Sequence, residues 1–471
     1  MTRSLSAARR MAADTFASLR VRNYRLYFIG QVVSVSGSWM QRVAQSWLVL
    51  HLTVNSGLAL GVASALQFLP ILLFGVWGGV VADRTDKRRL LMVTQAMMGL
   101  LALILGVLTL TGLVQLWMVF LMALLLGAVT VIDNPARQAF VMELVGRGQV
   151  TNAVSLNSAV FTGARVVGPA VAGLLIAAVG TAWCFVINAA SFGAVLLALV
   201  AMNADQLYRA ERPAKAQGQL MEGLRFVWSR PDLCTPLALL AVAGTLALNF
   251  TVVLPLLARD TFHGGAATYG TLFSVLGAGS LAGALFTASR REPSVGLLVG
   301  ALGLFGLFML GAAAAPTLPL EMVALIPMGV AALAFQTTTN SLIQLRSEPA
   351  LRGRVMALYS VVFLGSTPIG APIVGWVAEQ FGPRAGLGLG GTAVLVAALV
   401  AVWLSTRRHV FDARVRPLAL DRGDAGSGDR RKFATHPAAS VAEAKSGVPT
   451  KPASRGGKDG VALGGAHSKN A

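Results

Sequence analysis

From residue 26 to residue 405 the chain is a succession of apolar runs separated by short turns that hold most of its charge. A run of about 20 apolar residues is a transmembrane helix candidate, because inside a bilayer each backbone polar group must be bonded within its own segment. Twelve such runs can be read: 26–53, 57–81, 90–112, 115–135, 153–179, 181–203, 236–259, 267–289, 295–315, 320–343, 354–379 and 385–405. The predicted fold is an all-α membrane protein of twelve transmembrane helices. Only 13% of the residues are charged, about half of the roughly 25% usual in a soluble domain.

A formal charge of +19 raises the question of nucleic acid. The positions of the cations answer it. Of 39 lysines and arginines, all but Arg42, Arg165, Arg259 and Arg384 lie in the first 25 residues, in alternate loops or in the tail. Cations concentrated on one side of the spans follow the positive-inside rule, which puts both termini in the cytoplasm and excludes nucleic acid as the explanation. Residues 1–25 form a basic segment with no apolar stretch ending in a cleavage site, so the first span itself directs insertion. Cys184 and Cys234 lie in or beside spans, and no disulfide framework follows.

A polar stretch, 204–235, divides the spans into six and six: a bundle over 26–203 and a bundle over 236–405. Within the connecting stretch, Leu220 to Trp228 reads as an amphipathic helix lying along the membrane surface. The halves are related by a shift of 202 residues. Leu156, Ser158, Val160, Phe161, Gly163, Gly168, Gly173 and Gly180 then fall on Leu358, Ser360, Val362, Phe363, Gly365, Gly370, Gly375 and Gly382, and Gly127 falls on Gly329. Two parallel six-helix repeats are therefore expected. Residues 406–471 are rich in Gly, Ser, Ala and Lys and read as a disordered cytoplasmic tail.

The segment Gly78 to Arg89 sets an acid, Asp83, at the cytoplasmic edge of span 2 among Arg84, Lys87, Arg88 and Arg89. It resembles the loop between helices 2 and 3 of the major facilitator superfamily, G-x-x-x-D-R-x-x-[RK]-[RK], with Gly79 first and Asp86 replacing the usual glycine at the eighth position. The resemblance implies that Asp83 faces the N-terminal end of helix 11, near Arg352-Gly353-Arg354, and that the cations hold the loop in an outward-open state. Gly163, Gly168, Pro169 and Gly173 resemble the superfamily's exporter motif in helix 5, with Ala172 in place of one glycine. Ordinary close helix packing explains the same glycines.

Charges inside spans cost at least about 2.5–3.5 kcal/mol each and usually face a cavity or partner. Arg42 lies toward the outer side of span 1, Arg165 at mid-depth in span 5, and Asp133 near the cytoplasmic end of span 4. Asp133 reads as the only acid clearly within a span. At 1.5 Å per residue, Asp133 and Arg42 are about 18 Å apart in depth. Asp133 is expected to meet Arg137, one turn on, or Arg84 and Arg88, as a lock at the cytoplasmic gate. Its competing role is proton carrier. A midplane cavity between spans 1, 2, 4 and 5 and their repeats 7, 8, 10 and 11 has as wall candidates Gln31, Trp39, Arg42, Gln67, Arg165, Asn249, Gln336 and Asn340. Two arginines without an acid at their depth point to an anionic cargo. Arg354 joins the gating set.

No His, Cys or acid spacing suggests a metal, and the glycines at 386–391 lack the lysine and hydroxyl of a phosphate loop. Neither an enzyme nor a cofactor is expected. The opening Phe16 to Phe28, Gly37-Ser38-Trp39-Met40-Gln41, Asp133-Asn134-Pro135-Ala136-Arg137 and Arg352 to Met356 resemble the enterobactin-exporter and macrolide-efflux branch of the superfamily, over residues 16–405. That resemblance implies a monomer in the bacterial inner membrane that exports small amphipathic compounds against a proton gradient. The alternatives are a phospholipid or lysophospholipid translocator of the same fold, and a membrane scaffold or sensor.

Overall fold

The computed structural model describes residues 16–146, 148–208, 225–290, 293–348 and 351–415. After a 3-10 turn at Ala17–Arg20 come α1 (Arg22–Leu52), α2 (Gly57–Arg84), α3 (Lys87–Leu110), α4 (Leu116–Val145), α5 (Val150–Val179) and α6 (Thr181–Ala201). The second half holds α7 (Pro231–Thr261), α8 (Ala266–Ala288), α9 (Val295–Ala314), α10 (Leu318–Arg346), α11 (Arg352–Phe381) and α12 (Pro383–Val415). No strand occurs among the described residues. Eleven of these segments are long and apolar enough to cross a membrane. The exception is α1, diluted by Gln31, Ser34, Gln41, Arg42, Gln45 and Ser46.

Local chemistry sets the helix ends. Ser56 caps α2 by accepting from Ala59 N–H at 3.1 Å, and Ser294 caps α9. Asp86 caps α3, accepting from Arg89 N–H at 2.9 Å, which supplies a local reason for an acid where the motif has glycine. Gly180 and Gly382, at φ +92° and +89°, make the turns after α5 and α11, a conformation that glycine adopts without a Cβ penalty.

Several helices outrun their apolar runs. Helix α4 continues past 135, through Pro135, to Val145, and α12 continues past 405 to Val415. Hydropathy marks the lipid-embedded part of a helix, whereas backbone hydrogen bonding carries on into polar residues. Residues 209–224 are outside the described set, and with them most of the expected amphipathic stretch. At its end Val227 is buried and Trp228 exposed, so these neighbours do not share one face. Residues 416–471 of the expected tail also lie outside it.

In the first half α1 packs on α5 and α6, α2 on α4, and α3 on α4 and α6. In the second, α8 and α9 pack on α10. Glycines show the two halves to be built alike. A Cβ on Gly127 of α4 would strike the Gln67 carbonyl of α2, and one on Gly329 of α10 would strike the Leu276 carbonyl of α8. Gly168 of α5 sits against Ser36 and Trp39 of α1, as Gly370 of α11 sits against Thr245 of α7. Gly173 of α5 meets Ala266 and Gly270 of α8, as Gly375 of α11 meets Gly57 of α2. The last pair joins the halves, through α5–α8 and α2–α11.

Candidate functional site

These crossings leave a cavity of about 380 Å³ between the halves, with walls from α1, α2, α4, α5, α7, α8, α10 and α11. At its centre is Trp39. The Arg42 guanidinium carbon lies 4.7 Å from its ring centroid and that of Arg165 5.6 Å. Phe161 and Phe273 approach the same ring at 6.0 and 5.9 Å. Arg165 Nε is buried without a hydrogen-bond partner. The other polar groups on the wall are neutral, among them Gln67, Asn249, Gln336 and Thr367, and among the described residues no Asp or Glu lines this cavity. An aromatic plate flanked by two cations suits a flat, negatively charged organic group.

Helix α7 opens its backbone to this cavity. Between two π-helical turns, at Ala243–Ala247 and Leu257–Thr261, the helix is interrupted at Leu248 and Asn249. Asn249 Nδ2 donates to the Thr245 carbonyl at 2.7 Å, and its Oδ1 is buried without a partner. Irregular backbone at membrane depth is tolerated where it lines a cavity.

A smaller chamber of about 140 Å³ adjoins the first, sharing Trp39, Arg42, Gln67 and Phe161 with it and adding Gln31, Asp133, Arg137 and Asn188. Asp133 is 1% exposed. Its Oδ1 accepts from Thr94 Oγ1 at 2.7 Å and Gln95 Nε2 at 2.8 Å. Its Oδ2 accepts from Arg137 Nη2 at 2.6 Å and Nε at 3.2 Å. Arg137 Nη1 also donates to Gln31 Oε1. Four donors on one carboxylate tie α3 to α4, and the Arg137–Gln31 bond adds α1.

Of the eight wall candidates, seven line the two chambers; Asn340 stands apart, accepting from Gln344 at 2.6 Å. In the α2–α3 loop, Lys87 pairs with Glu143 at 3.1 Å, and Arg88 donates to the Leu199 and Val200 carbonyls at the end of α6. These bonds stay within the first half. Asp83 and Arg84 are exposed, and Arg354 is half-buried in the first turn of α11. A Cβ on Gly79 would meet nothing, whereas one on Gly78 would strike the backbone of Val131, so Gly78 is the glycine the α2–α4 contact requires. In the α5 motif Gly168, Pro169 and Gly173 are packed, but Gly163 faces open space. The reading of Asp133 as the only acid in a span needs correction. Glu321, in the first turn of α10, is fully buried with neither carboxylate oxygen hydrogen-bonded. Its place near the start of the run 320–343 had the look of a boundary residue. Glu379, at the last position of the run 354–379, reads as a boundary residue in the same way.

The closest approaches between the halves are at the end remote from the basic α2–α3 loop. There Gly57 and Gly61 of α2 meet Gly375 and Ala371 of α11, Trp47 stacks on Tyr269 at 6.3 Å, and Glu379 of α11 accepts from Ser56 and Leu58 of α2. Toward the basic end a further opening of about 680 Å³ lies between α4 and α5, sharing Phe161 and Thr162 with the central cavity.

Comparison with known proteins fits this arrangement. The family model described as transmembrane secretion effector matches residues 13–417. The chain is 26% identical over 375 residues to a staphyloferrin A transporter of Staphylococcus aureus, covering 76% of this chain and 90% of that one. It is 28% identical over 403 residues to the multidrug efflux pump Tap of Mycobacterium tuberculosis, covering 82% and 94%. With the enterobactin exporter EntS of Shigella boydii it shares 27% identity over 398 residues, covering 82% and 92%. Among solved structures it resembles a POT family transporter bound to 5-aminolevulinic acid, with TM-score 0.66 at 12% identity over 82% of this chain and 96% of that one. It also resembles a bacterial homologue of the human lysosomal transporter Spinster, with TM-score 0.59 at 13% identity over 81% and 95%.

Proposed function

The chain belongs to the transmembrane secretion effector family of the major facilitator superfamily, whose members are multi-pass membrane transporters and not enzymes, and from that premise we propose that it exports small amphipathic organic anions. Arg42 and Arg165 beside Trp39, in a cavity without an acid, are the observation that carries this reading. A carboxylate or catecholate would bridge the two guanidinium groups while its ring or chain lies against Trp39, Phe161 and Phe273. A lipophilic cation would find no counter-charge there.

The proposed cycle is alternating access coupled to proton antiport, in a bacterial inner membrane, by a monomer with both termini in the cytoplasm. With the basic loops inside, the contacts between α2 and α11 and between α5 and α8 close the outer side, and the opening beside α4 and α5 serves as the cytoplasmic route. In this reading Asp133 locks the cytoplasmic half of the first bundle through Arg137, and Gly168, Pro169 and Gly173 form the sliding face of α5. The α4–α5 opening also favours a second cargo, a lysophospholipid entering sideways with its anionic headgroup toward the arginines.

Inverted membrane vesicles loaded acid-inside test the proposal, with a catecholate siderophore, a macrolide, a cationic dye and a lysophospholipid added in turn. The expected result is proton release triggered by the catecholate and absent with the dye. Release triggered by the cationic dye alone would refute the anion reading.

A further inference from the structure

The outer seam between α2 and α11 is tied by one carboxylate oxygen. Glu379 Oε2, near the end of α11, accepts from Ser56 Oγ at 2.7 Å and from Leu58 N–H at 2.8 Å. Ser56 in turn accepts from Ala59 N–H at 3.1 Å, so the N-terminus of α2 is capped jointly by its own serine and by an acid from the other half. The first N–H groups of a helix have no partner within it and carry partial positive charge, which is why an acid is favoured there. The backbones touch beneath this cap: a Cβ on Gly61 would lie 2.7 Å from Pro372 Cα.

At the cytoplasmic end of the same two helices the parts are exchanged. Asp83, in the last turn of α2, is now the acid, and it is exposed. The N-terminus at this end is that of α11, where the capping position is Leu351, without a side-chain cap, and the Arg352 N–H goes to the Glu348 carbonyl at 2.8 Å. The acid at the outer end is engaged with the neighbouring helix; for Asp83 the loop resemblance implies the corresponding contact with α11.

We infer that Glu379 is the outer latch of the transport cycle, opposed by the cytoplasmic contact that the loop resemblance implies for Asp83, as α2 and α11 rock about their middles. The inference rests on the alternating-access reading above. Near their centres the helices stay in contact, Gly365 of α11 against Leu72 of α2, so parting the outer ends brings the cytoplasmic ends together. The two latches then compete, and weakening one shifts the population toward the state the other holds.

The test is a distance measurement on the full chain in lipid nanodiscs, with no cargo added. Spin labels go on Leu113→Cys and Leu320→Cys, exposed outer positions in opposite halves, in a Cys184→Ala, Cys234→Ser background. Glu379→Ala should raise the population with a long outer distance roughly fivefold, the low end of coupling between sites, because the latch is exposed to solvent. Glu379→Gln, which keeps an oxygen able to accept both bonds but loses the charge, should fall between wild type and alanine. Asp83→Asn should move the population toward the short distance. An unchanged distribution in Glu379→Ala overturns the inference, and a lowered melting temperature beside it would mark Glu379 as a static helix cap. A shift in the same direction by Asp83→Asn, or none, overturns the reciprocity. The readout needs no cargo, so a silent panel in the vesicle experiment and a failed latch are separate results.

Discussion

Replacing Arg165 by methionine should cost an anionic cargo far more than a neutral one. Both guanidinium carbons lie within 5.6 Å of the Trp39 centroid, so they are no more than about 10 Å apart. At that separation and an effective dielectric of about 20, two cations repel by roughly 1.7 kcal/mol. A bridging anion removes that repulsion and gains charge-assisted hydrogen bonds of about 1.5–3 kcal/mol to each side. Arg165→Met forfeits one such bond, which at 1.4 kcal/mol per decade is about a 10- to 150-fold weaker dissociation constant. The empty protein should not suffer, because the substitution removes a buried, unpartnered Nε along with the repulsion. Tryptophan fluorescence titration of the purified protein reads the affinity, with Trp39→Phe separating the local signal from that of the other seven of the 8 tryptophans. A catecholate carboxylic acid and its neutral amide form the comparison. An affinity loss below threefold for the acid, or an equal loss for the amide, would refute the assignment of Arg165 as an anion contact.

Asp133→Asn should lower the melting temperature in detergent, since it leaves Arg137 partly buried without its ion-pair partner, a loss of roughly 3–5 kcal/mol in comparable buried pairs. Adding Arg137→Gln should restore part of the loss, and an unchanged melting temperature in the single variant would exclude the lock. Gly173→Val should pry α5 from α8, where even an added Cβ would lie 2.9 Å from the Ala266 carbonyl and 3.1 Å from Gly270 Cα, while Gly163→Val should be silent. Labelling of Phe161→Cys by an impermeant thiol reagent from the outer side reads this, and equal labelling in both variants would contradict the seam. Glu321→Gln should hold or raise the melting temperature by removing a buried carboxyl that accepts no hydrogen bond; a clear fall would show that the carboxyl is stabilised where it lies.

The helices were legible because a bilayer imposes one length and one polarity on each of them. The repeat was legible because close crossings need glycine, so Gly127 and Gly329, or Gly168 and Gly370, recur at one register. Arg42 and Arg165 were visible for the opposite reason, as charges in places where hydropathy forbids them. The sequence could not reveal that both converge on Trp39, since that depends on how α1 and α5 turn about their axes. It also could not rank Gly78 above Gly79, neighbours on one helix of which only the first faces Val131. Glu321 and Glu379 escaped because an acid at the end of an apolar run reads as the run's boundary. Only the neighbouring helix shows whether such an acid meets water, nothing or the start of another helix.

Where the charges lie also limits how export can be coupled. Asp133 lines the smaller chamber, which shares Arg42 with the central cavity, and is held by Thr94, Gln95 and Arg137; Glu321 lies at the outer end of α10; neither lines the central cavity that holds both arginines. In the proposed antiport a proton and an anionic cargo would therefore not compete for one carboxylate, and coupling between them would pass through the helices that Arg137 and Gln31 join. The charge of an anionic cargo would assist as well. Moving one negative charge out of an inside-negative cell is downhill by about 2.3 kcal/mol per 100 mV, and a proton entering in exchange adds an equal electrical contribution. An exporter built on two arginines can thus draw on the membrane potential even when the pH gradient is zero. A carrier of lipophilic cations faces the reverse sign and would draw on an acid in its cavity. Among the described residues the central cavity has none, Asp133 of the adjoining chamber being paired with Arg137.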